Sequence, residues 1–179
     1  MESGLGPDGV ARDARALARA AGHGVVPPLH GFERAVSPHL EARRVGAVIR
    51  RREVSAWVDA HAMGVTLVET AGGLLSPLGV GSSNLDLVAW VGAVRLVVVA
   101  PDRLGVLHDV AAVRAVLEGA GWWERAAVVL SQGTEADAST GTNAAELVRL
   151  GLATEVMVVS RGGSVKGVEL ATSLGERFT

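Results

Sequence analysis

The sequence predicts an α/β protein, a three-layer α/β/α arrangement around a mainly parallel sheet. Two observations carry that class. From residue 65 onward, short apolar runs alternate with stretches of helical period. The run Ala93–Ala100 (AVRLVVVA) is β-branched and nearly all apolar, as a strand buried on both faces requires. Strands separated by helices join as right-handed βαβ units, and such units make a parallel sheet.

Each element has its own signal. Residues 8–21 read as a helix, with Asp8 as cap and Val10, Ala14, Leu17, Ala18 and Ala21 on one stripe. Gly22-His23-Gly24 stops it. Residues 24–38 carry Pro27, Pro28 and Pro38 and are expected to form an irregular connection. Ser37-Pro38 then starts a short helix running from His39 to about Gly46. Residues 49–62 read as another helix, with Val54, Trp57, Val58 and His61 on one side. Val65–Val68 is expected as a short strand, and Ser83–Val91 as a helix capped by Ser82 or Ser83. After the Ala93–Ala100 strand comes a helix over Leu107–Gly119, with Val110, Ala111, Val113 and Leu117 inward. Ala126–Leu130 is a strand, Asn143–Leu150 a helix and Glu155–Val159 a last strand. The pattern predicts one domain over residues 1–159 without internal repeats, and a weakly ordered tail over 160–179.

Composition narrows the class of function. With 49% hydrophobic and 20% charged residues, the 179-residue chain can bury a real core. A formal net charge of -2 gives no electrostatic case for nucleic acid or an anionic membrane. The chain has no cysteine, which excludes disulfides and thiolate metal sites. No apolar run reaches transmembrane length, and Met1–Asp8 is not a signal peptide. A cytoplasmic protein is therefore expected. One lysine, Lys166, stands against sixteen arginines, which points to a GC-rich coding sequence.

The chemistry concentrates in residues 65–78, VTLVETAGGLLSPL. An apolar run ends on one carboxylate, Glu69, and a turn of small residues, Thr70-Ala71-Gly72-Gly73, follows at once. Such a run delivers an acid to the edge of a sheet, where open α/β folds bind ligands. The glycines let backbone approach whatever Glu69 faces. From these residues alone, Glu69 is either a ligand-facing acid or a strand-end carboxylate capping the next turn.

Several landmarks stand in one order: Glu2-Ser3-Gly4, Arg12-Asp13-Ala14, Val36-Ser37-Pro38-His39-Leu40, then Val68-Glu69-Thr70-Ala71-Gly72-Gly73-Leu74-Leu75-Ser76-Pro77-Leu78. Asn84-Leu85-Asp86-Leu87 and Leu104-Gly105-Val106-Leu107-His108 follow. Over roughly residues 1–132 this order resembles the dethiobiotin synthetase family. The resemblance implies a P-loop NTPase-like fold, use of ATP and Mg²⁺, and a homodimer with its active site near the dimer interface. It also implies the reaction. An amine of diaminopelargonic acid captures CO₂ as a carbamate, ATP phosphorylates the carbamate, and the second amine closes the ureido ring with loss of phosphate.

By the same resemblance, Asp13 and Glu69 match the metal-associated carboxylates. Ser3, Ser37 and His39 match the substrate side. Glu69, Thr70, Ala71, Gly72, Gly73 and Ser131 match nucleotide-binding positions. No catalytic residue is assigned. There are departures. Thr70 replaces a glycine, Ser131 an adenine-contacting asparagine, and His108-Asp109 an Asn-His pair. Ser160-Arg161-Gly162-Gly163 stands where a proline-containing adenine loop is usual. No GxxxxGK[ST] string occurs, and residues 6–13 (GPDGVARD) lack its Gly-Lys-Ser/Thr end. The family's first strand, P-loop, first helix, second strand and two lysines therefore have no counterpart.

The fold is accordingly expected to be incomplete and the chain inactive as written. Met1 stands where the family has the valine of Lys-Pro-Val-x-Ser/Thr-Gly. A GTG valine codon taken as a start predicts an open frame upstream that encodes the P-loop. Two alternatives stay open. One is a non-catalytic paralogue acting as a binding or dimerisation partner, and the other is a different P-loop NTPase-like amidoligase relative. Trp122-Trp123 is either a partner surface or loop packing over a helix end.

Overall fold

A computed structural model describes residues 1–5 and 9–161. The chain divides into two compact units, Met1–Ala93 and Val94–Thr179. Strands and helices alternate through both, and among the described residues every strand pairing but one small hairpin is parallel, so the α/β class holds.

In the first unit, β1 (Glu2–Ser3) pairs in parallel with β2 (Gly31–Phe32). The helix α1 spans Arg12–Ala21, four residues later than the expected start at 8, and Asp8 lies outside the described residues. Its first turn is capped from a distance. The buried Glu2 carboxylate accepts the N–H groups of Asp13 at 2.8 Å and Ala14 at 3.1 Å. Those are two of the orphan donors that any helix N-terminus carries. The helix ends at Gly22 in the left-handed conformation, as the sequence suggests. Of the expected stripe only Ala18 is fully buried, and Leu17 is exposed.

The helices α2 (Pro38–Arg44) and α3 (Arg51–His61) follow, close to their predicted limits. The connection over residues 24–38 is not wholly irregular, because β2 lies within it. A small antiparallel hairpin, β3 (Pro77–Gly79) with β4 (Ser82–Ser83), precedes α4 (Asn84–Trp90). The core of this unit gathers Phe32, Ala42, Ile49, Val54, Leu78 and Leu87.

The expected strand over Val65–Val68 is not formed. Residues 65–70 have no ladder partner, and Val65 and Leu67 are 83% and 74% exposed. A strand needs a neighbour to pair its N–H and C=O groups, and β-branched residues supply only a preference for extended backbone.

The second unit meets the sequence expectation closely. The strands β5 (Leu96–Pro101), β6 (Ala126–Ser131) and β7 (Val156–Val159) form one parallel sheet in that order. Between them run α5 (Val106–Gly119) and α6 (Asn143–Arg149). In register, Val98 lies beside Val128, and Ala100 beside Leu130. Alternate residues of the strands share one face. On it Ala100, Val128 and Leu130 pack with Val106 and Val110 of α5 and Leu147 of α6. Complete burial of a leucine or valine side chain is worth about 1.5–3 kcal/mol, and Val106, Leu130 and Leu147 are all at 0% exposure.

Trp123 packs against this core, under the Arg114 guanidinium at 5.5 Å. Arg125 lies 5.2 Å over the Trp122 ring. Trp123 is thus packed over the end of α5, and Trp122 has the Arg125 guanidinium over its ring. The tail expected over 160–179 lies outside the described residues from 162 onward. Among the described residues, no helix is long and apolar enough to cross a membrane.

Candidate metal and nucleotide site

The segment after Val68 builds a compact, open turn. Gly72 has φ +82°, and a Cβ placed there would lie 2.5 Å from the Ser76 Oγ and 3.1 Å from its Cβ. Only glycine fits both the backbone conformation and the space. The Thr70 hydroxyl donates to the Gly72 carbonyl at 3.1 Å, so the side chain that departs from the usual glycine is tied into the turn itself.

Asn84, the first residue of α4, fastens the turn from below. Its Nδ2 donates to the carbonyls of Ala71 at 3.0 Å, Gly72 at 3.4 Å and Gly73 at 2.9 Å. Its own N–H donates to the Ser76 carbonyl at 3.0 Å. A trans peptide points its C=O and N–H in opposite directions. Carbonyls that converge on Asn84 therefore turn the N–H groups of Gly72, Gly73 and Leu74 away from it. Those three N–H groups make no hydrogen bond with the described residues. Successive free N–H groups in such a turn form an anion-binding concavity.

Glu69 stands at the mouth of this turn, exposed, with no hydrogen-bond or ion-pair partner among the described residues. Glu69, Thr70 and Ala71 line a cleft of about 40 Å³ with Met1, Leu29, Trp57 and Leu87. Small-molecule pockets run to about 300–1,000 Å³, so this gap is packing space.

The other predicted residues divide between the units. Asp13 lies in the first turn of α1, exposed, its backbone fixed by Glu2 and its carboxylate without a partner among the described residues. Ser3 is in β1, and its Oγ is buried with no partner. His30, next to β2, has a similarly orphaned Nε2. Burial holds the His30 ring below the usual histidine range, against the opposing charge of Glu53. The Ser37 hydroxyl and His39 Nδ1 are hydrogen-bonded to each other at 2.8 Å at the start of α2. Ser131 belongs to the second unit, exposed at the carboxyl end of β6, with its carbonyl accepting the Asp102 N–H at 2.9 Å. Asp109 is paired with Arg103 at 3.1 Å.

Two contributors escaped sequence reading. Glu2 acts on Asp13 across eleven positions, and Asn84 acts on the turn across eleven to thirteen. Their only sequence mark was membership of the ordered landmarks. Around Asn84, Asp86 accepts both the N–H (2.8 Å) and the hydroxyl (3.0 Å) of Ser83, and these bonds hold its carboxyl below the usual range.

The second unit has its own polar cluster beyond β5. The buried Asp102 accepts the Gly141 N–H at 2.9 Å and Asn143 Nδ2 at 2.7 Å. Asp137 accepts the Leu104 N–H at 2.7 Å together with the hydroxyl and N–H of Ser139. These donors lower its carboxyl to about 2. Both acids are saturated by protein donors and hold loops. A larger cavity, about 370 Å³, includes Arg114, Trp123, Glu124 and Ala126. It lies at the start of β6, the opposite end of that strand from Ser131, and no predicted site residue lines it. Among the described residues, no group of three or more His, Asp or Glu side chains is arranged to hold a metal.

A family profile described as an AAA domain matches residues 1–166. The ATP-dependent dethiobiotin synthetase BioD of Rhodopirellula baltica is 35% identical over 130 residues, covering 66% of this chain and 50% of that protein. The protein of the same description from Phenylobacterium zucineum is 31% identical over 159 residues, covering 82% of this chain and 67% of that one. A third, from Caulobacter vibrioides strain NA1000, is 30% identical over 143 residues, or 75% and 64%. The chain thus spans between half and two thirds of the length of these relatives.

Proposed function

We propose, from the premise that this chain belongs to the dethiobiotin synthetase family of P-loop NTPase-like AAA domains, that it carries the metal- and phosphate-facing part of an ATP-dependent ring-closing ligase. One observation supports this above the others. The turn beside Glu69 offers three N–H groups, and Glu69 a carboxylate, that have no partner among the described residues.

Carboxylate oxygens such as those of Glu69 and Asp13 are the ligand type that Mg²⁺ takes. That ion is usually bound by one or two carboxylates plus substrate phosphates and waters, so a ready-made acidic cluster is not required. Glu69 and Asp13 would hold it. When bound, Mg²⁺ neutralises charge on the phosphate oxygens. The chain's own groups orient the phosphate through the N–H groups of Gly72, Gly73 and Leu74. On the substrate side, the Ser37–His39 bond fixes the imidazole and leaves its Nε2 to meet a diaminopelargonic acid-type substrate. Ser3 contributes its hydroxyl. Ser131 replaces an amide with one hydroxyl, which offers adenine a single donor. The family resemblance further supports a cytoplasmic homodimer.

Turnover is not expected from these 179 residues by themselves. They contain no Gly-Lys-Ser/Thr loop, and Lys166 is the single lysine. The test pairs calorimetry of the chain with Mg·ATP and rescue of a biotin auxotroph lacking its own synthetase. Binding without rescue is the expected result. Colonies on biotin-free medium would overturn the inactivity, and absence of Mg·ATP binding would overturn the site. A second reading, a non-catalytic partner of a complete synthetase, is favoured by Thr70, Ser131 and the Arg103-bound Asp109. It predicts co-elution with such a subunit.

A further inference from the structure

We infer that Asn84 is the positioning residue of the phosphate-facing turn. It acts through the turn's backbone and does not itself meet a ligand. Its side chain is completely buried, at 0% exposure. Its amide has two N–H groups for three successive carbonyls, so at least one is shared between acceptors. Its Oδ1 is buried with no partner. The side chain is thus used as a donor alone, and the donor's targets are the peptide groups whose N–H ends face outward beside Glu69. Asn84 is itself fixed by its N–H bond to Ser76 and by the Ser83–Asp86 bonds at the start of α4. The direction of the Gly72, Gly73 and Leu74 N–H groups is therefore set from α4, outside the motif.

The inference rests on the proposed function, and its test separates the two. Asn84→Asp keeps the shape and replaces the donor by an acceptor facing three carbonyls. Mg·ATP binding to the full chain should weaken at least tenfold at pH 8. The ratio to wild type should narrow as the pH falls, because a protonated aspartic acid regains one O–H donor. A merely structural role would lower the melting temperature and the affinity in parallel, whereas a positioning role weakens binding at temperatures where the variant is fully folded. Asn84→Ser, which keeps a shorter donor, should fall between the two. Equal affinities for wild type and Asn84→Asp at pH 8, or a ratio flat in pH, would overturn the inference.

The free protein gives a second reading that needs no nucleotide and no variant that folds. In ¹⁵N spectra of the full chain, the Asn84 side-chain amide protons should exchange slowly with solvent. Fast exchange would overturn the clamp. A slowly exchanging Asn84 in a wild-type chain that binds no Mg·ATP would leave the clamp standing and overturn the nucleotide reading.

Discussion

Replacing Gly72 by alanine probes the turn beside Glu69 through two separable strains. The first is conformational. At φ +82°, an L-residue pays about 1–2 kcal/mol relative to glycine. The second is steric, since the new Cβ would meet Ser76 Oγ at 2.5 Å and Cβ at 3.1 Å. The Ser76 Oγ can turn away about χ1, but its Cβ moves only with the backbone, which is held at both ends. The Ser76 N–H donates to the Gly73 carbonyl at 2.9 Å and its carbonyl accepts the Asn84 N–H at 3.0 Å. Each such bond is worth about 1 kcal/mol net. The turn can also open and release the strain, at the cost of the Asn84 bonds, each again about 1 kcal/mol. The smaller of the two responses sets the loss, about 2–3 kcal/mol. Urea denaturation measures it. Ser76→Gly removes the steric part, so the Gly72→Ala/Ser76→Gly pair should retain only the conformational loss of about 1–2 kcal/mol. A Gly72→Ala loss below about 0.5 kcal/mol, or a double variant no better than additive, would refute the reasoning.

Three further outcomes are expected. Glu69→Gln should leave the melting temperature unchanged, because the carboxylate is exposed and unpartnered. It should also weaken Mg·ATP binding about tenfold, a loss of about 1.4 kcal/mol by calorimetry. Asp102→Ala strands the Gly141 N–H and leaves the buried Asn143 amide with only its two longer contacts, to the Arg103 carbonyl and the Ser139 hydroxyl. It should cost about 3 kcal/mol, read from urea midpoints and from amide protection at Val128–Leu130. Asp137, lowered to about 2, stabilises the fold fully above its ordinary value of 3.8 and loses that contribution as the pH falls toward 2. The gap in urea midpoint between wild type and Asp137→Asn should be constant from neutral pH to about 4 and close below it.

Legibility in the sequence followed the range of the interactions. The strand β5 and the helix α5 were readable because a β-branched run and a helical period are local signals. The pair β1–β2 was not. Two residues per strand carry no period, and their pairing joins positions 29 apart, Glu2 with Gly31. The Val65–Val68 run shows the converse, a sound local preference without a ladder to join. At the site, Glu69 and its glycine turn were visible as a motif. Thr70 was visible as a departure from a glycine, and its hydroxyl bond to the Gly72 carbonyl was not. Glu2 and Asn84 were invisible in their roles, because a side chain that caps or fastens backbone at a distance leaves no spacing rule.

The Asp102 bonds reach residues 39 and 41 positions away. Between them lie all of α5 and β6, so Gly141 and Asn143 reach Asp102 only after a long loop has closed. Asp102 thus acts as a latch on the second unit: one buried carboxylate holds the segment that enters α6 against the end of β5, and joins two stretches that no strand pairing among the described residues connects.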